Sequence, residues 1–91
     1  MAAPSTPKPL VAGQLATGNG FYRGFTVRET TGAAPAVVQL FDNTAGSGTL
    51  LDTIQLPQGT DDRGDFSDGA RFVNGIFAVI TGTVEGSVFI S

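Results

Sequence analysis

The chain has no cysteine, no histidine and no tryptophan. Without cysteine there is no disulfide to staple a small fold, and without cysteine or histidine the usual zinc ligands are gone. The missing histidine also removes the commonest general base and any Ser-His pairing. Charge is scarce as well: 14% of residues are charged, against about a quarter in ordinary soluble domains. No apolar run approaches the roughly 18 residues that would suggest a membrane-spanning helix. The opening MAAPSTPKPLVAG has neither the basic start nor the apolar centre of a signal peptide, so synthesis in the cytoplasm is expected. An enzyme would have to work with Asp, Glu, Lys8, Ser, Thr or Tyr22 alone. The reading is a binding or building module, with no cofactor and no catalytic residue.

Ninety-one residues make one domain, and a domain this small buries only roughly 60% of its unfolded surface. Small folds without disulfides or metals gain stability by association. A homo-oligomer or docking to a larger partner follows. The formal net charge is −3. The basic residues Lys8, Arg23, Arg28, Arg63 and Arg71 are scattered, so no nucleic-acid groove is expected.

Residues 1–18 differ from the rest. Pro4, Pro7 and Pro9 fix φ, remove donors and push the residues before them toward extended backbone. The stretch predicts an extended N-terminal arm outside a folded module spanning 19–91. Leu10, Val11 and Leu15 would be its apolar anchors on a partner.

From Asn19 onward the chain predicts strands. In 21–30, Phe21, Phe25 and Val27 are expected on one face, with Tyr22, Thr26 and Arg28 on the other. Residues 36–42 are apolar on both faces and predict a central strand. A glycine-rich turn, 42–48, leads into a strand at 49–56. Residues 60–69 predict a long loop or an irregular edge strand. Asn74-Gly75 between apolar runs is a strong hairpin signal, so 70–73, 76–81 and 83–90 are expected to form an antiparallel meander. Phe89 stands among polar neighbours on its face, which suggests packing over a sheet edge or a subunit contact. No segment has helical periodicity. The expected fold is all-β: a small antiparallel β-sandwich or jelly-roll-like barrel of six or seven strands.

Three local patterns carry weak chemistry. Gly46-Ser47-Gly48 has neither the lysine nor the helix of a phosphate-binding loop. Asp61, Asp62, Asp65 and Asp68 could offer oxygens to calcium, but their spacing is not that of an EF-hand loop. Arg63-Gly64-Asp65 matches a short adhesive tripeptide, a match that arises often by chance. Among the aromatics, Tyr22 is the one expected to be placed for stacking on a sugar or, with Phe89, for a subunit contact.

The segments GFTVRET, VVQLFDNTAGSGTLLDTIQLPQG and DGARFVNGIFAVITGTVEGSVFIS resemble small virion proteins of tailed bacteriophages, especially those of actinobacterial hosts. The resemblance covers about residues 20–91. It implies a compact β-sandwich that decorates a capsid or belongs to a tail. The implied partner is the major capsid protein or another virion protein, the implied location is the virion, and the three-fold positions of such shells make a trimer the first expectation. A tail or fibre module that contacts host glycans, or a free-standing carbohydrate-binding sandwich, is the alternative.

Overall fold

Alternating apolar and polar residues build eight antiparallel strands in the computed structural model, which describes residues 5–91. They are β1 (Thr6–Pro9), β2 (Gly13–Thr17), β3 (Gly20–Glu29), β4 (Ala36–Asp42), β5 (Thr49–Leu56), β6 (Asp61–Phe72), β7 (Gly75–Thr81) and β8 (Val84–Ile90). Two four-stranded sheets result. The first, sheet A, has the order β1-β8-β3-β6, and the second, sheet B, has the order β2-β7-β4-β5. The pairing is nested: β4 pairs β5, β3 pairs β6, β2 pairs β7 and β1 pairs β8. The chain therefore runs out through four strands and returns alongside itself through four more.

One apolar cluster joins the two sheets. Sheet A contributes Tyr22, Phe25, Val27, Phe72 and Val88, and sheet B contributes Val38, Leu40, Ile54, Leu56 and Ile76. On β4 the buried residues Ala36, Val38 and Leu40 alternate with the half-buried Val37, Gln39 and Phe41. The doubly apolar segments 36–42 and 76–81 take the inner places of sheet B, as their composition predicts.

The N-terminal segment does not stand apart. Residues 6–9 pair with β8, with Thr6 opposite Ile90 and Pro9 opposite Ser87. Residues 13–17 pair with β7. Leu10, between them, is buried in the core. The expected boundary at residue 18 is thus replaced by one continuous unit, and two strands of the eight come from the segment read as an arm. Proline made that segment look unpairable, yet an edge strand needs donors on one side only. The Leu10 N–H donates to the Gly86 carbonyl at 2.9 Å. By alternation, Pro7 and Pro9 turn their donor-free nitrogens away from β8.

Two further expectations change. Tyr22 is buried beside Phe25 and Val27, whereas Phe21 is exposed. A register shift between Tyr22 and Gly24 breaks the simple alternation and reverses the faces before it. The expected meander is also absent: β6 and β8 lie in sheet A, and β7 lies in sheet B. No non-glycine described residue has positive φ, so Asn74 lacks the conformation that a tight type I′ hairpin requires. Instead the Asp42 carboxylate accepts hydrogen bonds from the Val73 and Asn74 N–H groups at 3.0 and 2.7 Å. That clasp holds a corner where the chain crosses from one sheet to the other.

Candidate binding surfaces

The residues singled out in the sequence do not converge on one site. Pro4 lies outside the described residues. Pro7 and Pro9 form the β1 edge, and Leu15 is half-buried against the core. Val11 is exposed. Phe89 is half-buried on β8. Leu10 and Tyr22 belong to the core, so neither can serve as an anchor or stacking platform.

Tyr22 instead bridges the sheets. Its hydroxyl donates to the Asp52 carboxylate on β5 at 3.0 Å. Phe66 packs edge-on against the Tyr22 ring, with centroids 5.3 Å apart. Burial raises the phenol well above its ordinary range, and the nearby Asp52 charge and hydrogen bond raise it further. Tyr22 is thus a neutral donor throughout the physiological range.

Glu29 ties two loops together. Its carboxylate accepts from the Thr31 hydroxyl at 2.6 Å, the Gly59 N–H at 2.9 Å, and the Thr31 and Gly32 N–H groups, both at 2.7 Å. Thr31 and Gly32 after β3 and Gly59 in the turn after β5 share this one acceptor. These hydrogen bonds, led by that from the Thr31 hydroxyl, hold the carboxyl down at about 2.

The charges are divided unevenly between the sheets. The strands of sheet A carry Lys8, Arg23, Arg28, Arg63 and Arg71, together with Glu29, Asp61, Asp62, Asp65, Asp68 and Glu85. Sheet B carries only Asp42 and Asp52, and both accept hydrogen bonds from the fold. The outer surface of sheet B presents Val37, Gln39, Phe41, Thr53, Phe77 and Val79 and no charge. Arg28 and Glu85 make an ion pair on exposed sheet A, where solvent leaves such a pair little net energy.

Two grooves mark sheet A. An open trough of about 540 Å³ runs past Arg28, Asp61, Asp62, Arg63 and Glu85. A neighbouring groove of about 380 Å³ joins Phe89 and Phe66 with Arg23, Arg63, Asp65 and Ser67. Arg23 is held in place by the Ser67 carbonyl and the Ser91 hydroxyl, each at 2.8 Å, and its guanidinium lies over the Phe21 ring. A half-exposed aromatic surrounded by planar polar groups can hold a small polar ligand through stacking and hydrogen bonds. Among the described residues, no three acidic side chains come together as a metal site. The four aspartates considered for calcium are strung along β6, and Arg63-Gly64-Asp65 lies within that strand.

The sequence reading missed Glu29, Asp42 and the division of charge. Glu29 carried a signal, since an acid at a strand end before Thr-Thr-Gly can accept the turn's N–H groups. The division of charge had none, because it depends on which strand joins which sheet. No protein-family model, curated protein sequence or solved structure matches the chain.

Proposed function

We propose that the chain is a jelly-roll β-sandwich that serves as a virion structural protein, a capsid decoration protein of a tailed phage. The observation that carries this reading is the nested strand order, β1-β8-β3-β6 over β2-β7-β4-β5. A long antiparallel hairpin rolled into two sheets produces that order, and the jelly roll recurs in viral capsid and lectin domains. Fold alone does not assign function. The uncharged outer surface of sheet B and the sequence resemblance to phage virion proteins add weight. The module acts by binding across junctions of the assembled shell. A ligand that binds the assembled shell and not free subunits stabilises it by mass action. In this reading the chain is made in the host cytoplasm and ends in the virion beside the major capsid protein.

The test is to locate the chain in purified particles by cryo-electron microscopy and quantitative mass spectrometry. The expected result is regular density on the capsid exterior at many copies per particle. Particles that lack the chain would overturn the proposal.

The groove around Phe89 favours a second reading, a tail module that contacts host glycans. In that case a glycan array should give specific binding that Phe89→Ala abolishes. Tail-tip density would favour this reading over the first.

A further inference from the structure

Sheet edges expose unpaired N–H and C=O groups, and natural folds guard them against strand addition. Three of the four edges here are guarded, each differently. The β1 edge is four residues long and carries Pro7 and Pro9, which offer no outward donor. The β6 edge carries Asp61, Asp62, Arg63, Asp65, Asp68 and Arg71 and is broken by a register shift opposite Tyr22/Gly24. The β2 edge is short and irregular between Gln14 and Ala16, where the Gln14 amide fills the break in the ladder by donating to the Ala16 and Ile76 carbonyls. The β5 edge has none of these devices from Asp52 to Leu56. That run pairs with β4 in unbroken register, from Leu40↔Asp52 to Ala36↔Leu56. It contains no proline. Its one charge, Asp52, is half-buried and takes the Tyr22 hydroxyl. Thr53 and Gln55 are exposed.

We propose that Asp52–Leu56 of β5 pairs antiparallel with the same segment of a second copy of this chain, which joins two sheets B into one eight-stranded sheet. The absence of charge on the surface beside this edge selects the occupant. The surface beside the edge, formed by Val37, Gln39 and Phe41 of β4 and Thr53 and Gln55 of β5, carries no charge. A strand like β6 laid there would bring charges to a surface with no counter-charge. A second β5 brings none to this surface, because its Asp52 is turned inward to the Tyr22 hydroxyl, and the Thr and Gln side chains both donate and accept hydrogen bonds. Antiparallel pairing of one segment with itself is a two-fold contact, and it closes after two chains. A trimer would need a different surface. The inference concerns the isolated chain and does not rest on the virion reading.

Sedimentation velocity over a micromolar concentration series tests it. The expected result is a monomer–dimer equilibrium. The double variant Thr53→Lys/Gln55→Lys places edge lysines on the contact strand and should weaken the dimer by about tenfold or more. Thr83→Lys, in the turn between β7 and β8, should leave the equilibrium unchanged. A wild-type chain that is monomeric at every concentration would overturn the proposal, as would a dimer indifferent to the double variant or weakened equally by Thr83→Lys. If the double variant fails to fold, amide hydrogen exchange on the wild type decides. Protection across residues 52–56 should rise with concentration, and a flat response would refute the contact.

Discussion

The hydroxyl of Tyr22 on β3 donates to the carboxylate of Asp52 on β5 at 3.0 Å and so connects the two sheets across the edge of their shared core. Tyr22 is the only tyrosine, which makes the connection easy to follow. Its phenol is raised in the fold and ordinary in the unfolded chain, so the folded state holds the proton more tightly. Stability is then fully present below the unfolded value of about 10 and falls as pH rises above it. The absorbance of phenolate should show no titration near 10 until the protein unfolds. Tyr22→Phe should cost about 1–2 kcal/mol at neutral pH and flatten the alkaline loss of stability, as measured by urea unfolding at several pH values.

Glu29 has the opposite sign. Its carboxyl is lowered from 4.5 to about 2 in the fold, so the folded state binds its proton less readily than the unfolded chain. The stabilisation is present above 4.5 and is lost as pH falls toward 2. Thermal melts from neutral to acid pH should show a declining limb in that window. Glu29→Gln should lower the neutral melting temperature and flatten the limb. An unchanged limb would mean that the two loops do not depend on this carboxylate.

Leu10 distinguishes a docked N-terminal segment from a loose one. Its side chain is buried in the core, and truncation of such a leucine costs about 2–5 kcal/mol. Leu10→Ala should therefore destabilise the chain by that amount in denaturant titrations. Val11→Ala, at an exposed position, should change stability by less than about 0.5 kcal/mol.

Gly86 occupies the crowded middle of β8, opposite Val27. Its φ is 155°, and a Cβ there would run into the Thr26 carbonyl oxygen. Backbone cannot yield as a flexible side chain can. Gly86→Ala should cost on the order of 3 kcal/mol from strain and clash together, whereas Gly32→Ala, with open space around it, should cost less.

Much of the fold was legible at the level of single strands. The bounds 36–42 and 49–56 coincide with β4 and β5, because period-two patterning and glycine-rich breaks are local properties. Strand partnership was not legible. Asn74-Gly75 has the composition of a hairpin, yet Asp42, more than thirty residues earlier, takes up its N–H groups and turns the chain into the other sheet. The faces of β3 were misread before Gly24 because a register shift depends on both neighbours. The proline-rich start was misread because proline's missing donor matters only on the side that pairs. Of the candidate contact residues, Phe89 lines a groove and Tyr22 does not. A polar-flanked phenylalanine is conspicuous in a sequence, but an aromatic ring with a hydroxyl can be buried wherever a partner such as Asp52 is supplied.

The nested pairing also sets an order in time. The β4–β5 hairpin closes a short loop, from Asp42 to Thr49, whereas β1 must find β8 across the whole chain, Thr6 to Ile90. Loop-closure entropy favours the short loop first and the long one last. During synthesis, Leu10 leaves the ribosome before β8 is made and waits for it. Pulse-labelling hydrogen exchange during refolding should protect the amides of β4 and β5 before that of Leu10. Until β8 arrives, the apolar inner surface of sheet B lacks part of its cover. The nascent chain is most exposed to aggregation and to chaperone capture in that interval.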